Sequence, residues 1–208
     1  MNSPDHVPVL GILGGVASGK STVSRMLAQR GAAVLDADET AHRVLKLPRV
    51  KAALREEFGD RILDDTGEVS RDKLGAEVFD EPDKLEKLNE LVHPVIIGQM
   101  EEDLQQLQQR GEVSLIVLDA ALLMEKGLDR RLCDALLFVD ADFETRAARA
   151  RENRGWSADE VRRREKAQIA PEEKKEKADF VVDNSGSRKA LQGAIDRVWN
   201  QIVNSSFQ

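Results

Sequence analysis

Gly14, Gly15, Gly19, Lys20, Ser21 and Thr22 crowd into one short polar loop directly after an apolar run, in the stretch GILGGVASGKSTV at residues 11–23. The spacing Gly14-x-x-x-x-Gly19-Lys20-Ser21 is that of a phosphate-binding loop. Glycines let successive backbone N–H groups turn inward around phosphate oxygens at a helix N-terminus. On that reading Gly15, Ala17, Ser18 and Gly19 supply the cradle, and Lys20 reaches the β- and γ-phosphates. Ser21 offers its hydroxyl to Mg²⁺, and Thr22 sits in a first helical turn whose amides and dipole favour negative charge. The alternative is an ordinary glycine-rich turn between a strand and a helix.

The flanking residues supply the context that a phosphate loop needs. Residues 7–13 read as a buried strand, and residues 21–30 place Val23, Met26 and Leu27 at helical spacing before Gly31. Further apolar runs at 33–36, 113–118, 135–139 and 180–182 read as strands, several ending at or near Asp. This is the pattern of a parallel βαβ sheet with its ligand edge at the strand C-termini. A last helix has Ser187 to cap it and Leu191, Ile195, Val198 and Ile202 on one face.

Two segments fall outside this alternation. Residues 39–111 hold helical pieces at 50–58, 70–79, 82–92 and 94–110, with Asp64-Asp65-Thr66-Gly67 as a turn and no convincing strand. That is more chain than a crossover needs, so it is expected to build an acceptor site. Residues 142–178 carry the capping box Ser157-x-x-Glu160 and Pro171 at a helix start. Basic and poor in large apolar residues, this segment is expected to be an exposed, mobile helical lid. The expected whole is one α/β domain over residues 1–208, with a five-stranded parallel sheet and a core at 7–38, 112–141 and 179–204.

Composition narrows the setting. With 208 residues, 41% hydrophobic and 33% charged, the chain can bury a good core. No run reaches transmembrane length, and the N-terminal MNSPDH lacks the basic start and apolar stretch of a signal peptide, so a cytoplasmic, membrane-free protein is expected. One cysteine, Cys133, can make neither an internal disulfide nor a cysteine metal site, and its apolar neighbours suit a core position. The net charge of −7 argues against a nucleic-acid-coating protein, although residues 146–177 hold 11 Lys/Arg against 7 Asp/Glu. No obligate protein partner is evident.

A phosphate loop specifies nucleotide binding, not a reaction. The Asn-Lys-x-Asp guanine-reading motif of GTPase switches and the LSGGQ-like signature of transporter ATPases are both missing from the sequence. Asp183-Asn184-Ser185-Gly186 fits the Asp-x-x-Gly switch pattern but at the wrong end of the chain. A small-molecule kinase remains, with a non-catalytic nucleotide sensor as the alternative from another class.

Over nearly its whole length the chain resembles the dephospho-CoA kinase family. The ordered series is GGVASGKST at residues 14–22; Asp36-Ala37-Asp38 and Ala41-His42-Arg43-Val44; Phe58-Gly59; Gly67-x-x-x-Arg71-x-x-Leu74-x-x-x-Val78-Phe79; His93-Pro94-x-Ile96; Leu122-Leu123-x-Glu125; Gln168; Ala178-Asp179; and Val182-Asp183-Asn184. Each piece is short and common, whereas their order is not. The resemblance implies a three-layer P-loop kinase fold and phosphoryl transfer from ATP, with Mg²⁺, to the 3′-hydroxyl of 3′-dephospho-CoA.

It also implies site residues. Asp38 matches the carboxylate that orients the attacking hydroxyl, though it also reads as the cap of a following helix. Arg71, His93, Leu122, Leu123 and Glu125 fall on the acceptor side, although a His before Pro, as at His93-Pro94, is more often a structural residue at a helix junction. Asp119, at a strand end, is either an Mg²⁺ partner or a plain turn residue, and the family's usual Pro is replaced by Ala121. Arg149 and Arg154 are the candidates to close over the triphosphate. Where the family has arginines beyond Gln168, this chain has Lys174, Lys175 and Lys177, which leaves the phosphate-facing cation open. Asn184 edges the adenine pocket or is a turn residue.

Overall fold

The computed structural model describes residues 6–79, 81–120 and 123–204. The chain opens with β1 (Val9–Gly14), α1 (Lys20–Ala28) and β2 (Ala33–Asp36), then runs into the helices α2 (Ala37–Leu45), α3 (Pro48–Phe58), α4 (Arg71–Val78) and α5 (Pro82–Arg110). It continues through β3 (Ile116–Asp119), α6 (Asp129–Leu132), β4 (Ala135–Asp140), α7 (Phe143–Arg154), α8 (Ala158–Lys166), α9 (Pro171–Glu176), β5 (Phe180–Asp183) and α10 (Arg188–Val203). Two compact units result: residues up to Asp36 with those from Leu104 onward, and Ala37–Asp103.

The first unit is built on a parallel sheet of strand order β2-β3-β1-β4-β5. Central β1 is buried at every position, which is why its sequence is a continuous apolar run instead of an alternating one. Leu10 and Ile12 of β1 join Val117, Leu137 and Val139 in one core with Val23, Met26 and Leu27 of α1 and Leu191, Ile195, Val198 and Ile202 of α10. Ser187 caps α10, its Oγ accepting from the Ala190 N–H at 3.2 Å. Alternation along β1 sends Gly11 the other way, where a Cβ would come within 2.7 Å of Cys133 Sγ and Leu123 Cδ2. Cys133 is therefore packing material, and burial pushes its thiol up to about 12, which removes it from thiolate chemistry.

The second unit has its own core of Val44, Val50, Leu54, Phe58, Ile62, Leu74, Val78 and Val92. Its predicted turn is fastened by Asp64 Oδ1, which accepts from the Thr66 hydroxyl at 2.6 Å and the Thr66 and Glu68 N–H groups at 2.9 and 3.0 Å. These bonds, the Thr66 hydroxyl foremost, hold the Asp64 carboxyl below the usual carboxylate range. Beside it lies an isolated antiparallel bridge between Leu63 and Val69. The expected helix break at His93-Pro94 does not occur: α5 runs through Pro94. Proline forfeits one backbone bond inside a helix, at a cost of about 3 kcal/mol. Leu88, Leu91, Val92, Val95 and Ile96, on both sides of it, pack into this unit's core and offset that loss.

Candidate active site

The phosphate loop joins β1 to α1 across the C-terminal edge of the sheet. Lys20 opens α1, and its Nζ donates to Gly14 O at 3.1 Å and Gly15 O at 3.0 Å. The N–H groups of Lys20 and Ser21 begin the helix and have no carbonyl one turn earlier to bond, so they are the donors an anion would meet. Gly19 is left-handed at φ +98°, and a Cβ there would collide with the Asn184 amide; glycine is required on both counts. Ser18 is 1% exposed, yet its hydroxyl has no hydrogen-bond partner. An orphaned buried hydroxyl at the centre of a glycine-rich loop is accounted for by an anion that it would bond.

Asn184 follows β5 and is buried. Its Nδ2 donates to Ser18 O at 2.7 Å, and its own carbonyl accepts from Arg149 Nη2 at 2.7 Å. Arg149 Nη1 also reaches Ser18 O at 3.4 Å. Arg149 is thus already fastened to the loop, with N–H donors to spare. Arg154 lies over the Trp156 ring at 4.7 Å. Both arginines line a cavity of about 680 Å³ that runs from Gly19 and Lys20 to Gly186 and Leu191. That volume is of the size a nucleotide needs.

The segment between β4 and β5 is less exposed than its composition suggests. Val161 and Ala150 pack against Val16 of the phosphate loop, with Phe143 and Trp156 alongside. Two of the basic residues are buried: Arg146 pairs with Glu165, and Lys174 pairs with Glu125 at 2.7 Å while donating to Gln168 Oε1 at 3.2 Å. Counting charges along the sequence misses this, because it shows neither that Arg146 and Glu165 of the segment face each other nor that Glu125, outside it, comes to Lys174.

Comparison with known proteins decides the family. A family model described as dephospho-CoA kinase matches residues 8–190. A dephospho-CoA kinase of Deinococcus radiodurans is 39% identical over 201 residues, covering 97% of this chain and 95% of that protein. The chain belongs to the dephospho-CoA kinase family. A crystal structure of a Thermus thermophilus protein, 35% identical, superposes with a TM-score of 0.79 over 95% of this chain and 98% of that one. The dephospho-CoA kinase of Campylobacter jejuni, 22% identical, shares the fold at a TM-score of 0.73 over 96% and 98% of the two chains.

For a member of the dephospho-CoA kinase family, the electrostatics of Lys20 are informative. Burial pushes its ammonium down to about 8, with Asp119 opposing and Lys174 and Arg154 adding to the effect. Part of the side chain still meets the cavity, so an arriving triphosphate would replace the water and hold the charged form. ATP binding is therefore expected to take up protons above about pH 8 and much less near pH 7, where Lys20 is already mostly charged. Titration calorimetry in buffers of different ionisation enthalpy measures the uptake; equal uptake by a Lys20→Ala variant would disprove the assignment.

Asp119 ends β3 and accepts from Ser24 Oγ at 2.7 Å. Among the described residues no cluster of three or more metal-ligating side chains occurs. A hydroxyl at Ser21 and a carboxylate at Asp119 fit Mg²⁺ all the same, since that ion keeps most of its shell as water and phosphate oxygens.

The acceptor-side residues fare unevenly. Leu122 lies outside the described residues. Leu123 is fully buried against Gly11, so it presents packing surface and none to a ligand. Glu125 accepts from the Ile169 N–H at 3.0 Å and from Lys174, and its Oε2 is buried without a partner. In the other unit, Asp38 is an exposed second residue of α2, so it stands inside the first turn and is not the cap. Arg71 is exposed at the first position of α4, and His93 is half-buried within α5. That unit also has a groove of about 560 Å³ beside Lys46, Lys51 and Arg55, and none of the predicted acceptor residues lines it. Sequence reading passed over Ser24, Arg146 and Glu165; only Ser24 carried a local signal, one helical turn after Lys20.

Proposed function

We propose that the chain transfers the γ-phosphoryl group of ATP to the 3′-hydroxyl of 3′-dephospho-CoA, yielding CoA and ADP, the last step of coenzyme A biosynthesis. The observation that carries this reading is the family match across residues 8–190, which takes in the phosphate loop and the whole unit Ala37–Asp103.

The geometry around the phosphate loop supports the donor half. The Lys20 and Ser21 amides, the Ser18 hydroxyl and the Lys20 ammonium hold the β- and γ-phosphates, and Arg149 and Arg154 balance charge on the open side. Ser21 and Asp119 would hold Mg²⁺, which would offset the negative charge of the β- and γ-phosphates. The Asp38 carboxylate orients the 3′-hydroxyl and takes its proton while that oxygen forms its bond to phosphorus and the bond to the ADP oxygen breaks. Arg71, His93 and Glu125 stand on the acceptor side, and Asn184 edges the adenine. The segment 142–178 acts as the cover over the phosphates. No helix among the described residues is long and apolar enough to cross a membrane.

The test is ADP release against a panel of acceptors, with labelled phosphate located on the product. Label at the 3′-position of dephospho-CoA supports the reading. Transfer to a nucleoside monophosphate instead, or ATP binding with transfer to nothing, would refute it.

A further inference from the structure

The Gly15–Val16 peptide is held from both sides. Its carbonyl, Gly15 O, accepts from Lys20 Nζ at 3.0 Å and from the Ser18 N–H at 3.3 Å. Its N–H, on Val16, donates to Glu165 Oε1 at 3.1 Å. A trans peptide is one rigid plane with C=O and N–H pointing in opposite directions, so whatever fixes the N–H also fixes the carbonyl. The next carbonyl, Val16 O, accepts from Arg146 Nη1 at 3.4 Å, and the same Nη1 pairs with Glu165. Arg146 in turn donates Nε to Ala141 O at 3.0 Å. One buried ion pair, its side chains 10% and 15% exposed, therefore grips both polar backbone groups of Val16.

The sequence makes room for this grip. A Cβ on Gly15 would stand 2.8 Å from Glu165 Oε1 and 2.9 Å from Arg146 Nη1, so no larger residue fits without displacing the pair. The Val16 side chain is fixed as well, in the cluster with Ala150 and Val161. A carboxylate so close to a phosphate loop would repel a triphosphate if it stood alone, and Arg146 cancels that charge.

We propose that Glu165 is a positioning residue for phosphoryl transfer: acting through the Gly15–Val16 peptide, it sets where the Lys20 ammonium stands. It touches no phosphate. It occupies the Val16 N–H, which leaves the cradle to the amides that follow. Because Glu165 sits near the end of α8, it also makes the phosphate loop and the cover segment one mechanical piece. The inference rests on the phosphoryl-transfer reading above.

Glu165→Gln keeps an oxygen for the Val16 N–H and loses the charge; Glu165→Leu loses both. Initial rates with ATP and dephospho-CoA, taken well below each melting temperature, are expected to show kcat down about threefold in Glu165→Gln. In Glu165→Leu the loss should be roughly 10- to 100-fold, the scale expected when a reacting group is displaced by about an ångström. KM for dephospho-CoA should stay near wild type in both. A purely structural residue would lower the melting temperature and leave kcat alone, and that result in Glu165→Leu would overturn the proposal. Equal kcat losses in the two variants would overturn it too, since the retained oxygen would then not matter.

Residue-resolved hydrogen exchange on the nucleotide-free wild-type protein keeps the question open to refutation if Glu165→Leu does not fold. A protected Val16 amide is expected, and an unprotected one would remove the contact on which everything rests. Should wild-type protein fail to phosphorylate dephospho-CoA, the acceptor assignment falls while the Val16 exchange result still judges Glu165.

Discussion

Lys20→Ala is expected to reduce turnover by a factor on the order of 10²–10³ or more, the loss typical when a preorganised charge is taken from a transition state. Lys20 is the cation that the loop itself presents: its Nζ is bonded to Gly14 O and Gly15 O, at the head of α1, and the residue lines the cavity proposed for the phosphates. The fold should not suffer. Burial lowers the Lys20 pKa from 10.5 to about 8, so the charged form is disfavoured in the folded protein. The sign follows from linkage. Below pH 8 both states are protonated and the cost is fully present; from about pH 8 to 10.5 the unfolded chain binds the extra proton, and stability rises with pH. The variant should therefore melt at or above the wild-type temperature at pH 7, with the difference shrinking toward pH 10. A folded variant that turns over at the wild-type rate would refute the phosphate assignment.

How much of this was readable beforehand depended on distance along the chain. The five strands and the phosphate loop are local signals: β1 is an apolar run because both its faces are covered, and the loop's glycines are set by its own turn. The α10 face of Leu191, Ile195, Val198 and Ile202 was equally plain, since one helix carries its whole pattern. Glu165 was invisible because its partner, the Val16 N–H, lies 149 positions away. The same holds for Lys174, one of several lysines in a charged stretch until Glu125 is brought to it. From composition the segment is expected to be exposed, with its lysines as candidates to face the phosphates. The structure instead buries Arg146 against Glu165 of the same segment and Lys174 against Glu125 from outside it. Pro94 misled for the opposite reason: a strong local signal for a break was outweighed by the apolar packing on either side of it. Leu123 matched a family motif by position, yet only the structure shows that its side chain is spent on Gly11.

Asp38→Asn separates a kinase from a protein that only binds nucleotide. A carboxylate within reach of the acceptor hydroxyl orients it and accepts its proton, whereas an amide keeps the shape and loses the charge. Turnover with dephospho-CoA is expected to fall by a factor on the order of 10²–10⁴, and ATP affinity should hardly change. The placement of Asp38 sharpens the control. As the second residue of α2 it lies in the first turn, where a negative charge meets the positive end of the helix dipole. Losing that charge costs about 0.3–1 kcal/mol, which in a chain of this length lowers Tm by only about 1–4 °C. If the helix were its whole purpose, the variant would show that small drop and an unchanged rate of transfer. Melting temperature, ATP binding and single-turnover phosphorylation measured on one preparation distinguish the two cases. A slightly less stable variant that binds ATP and transfers phosphate as fast as wild type would show that Asp38 serves the helix, and another group would have to orient the acceptor.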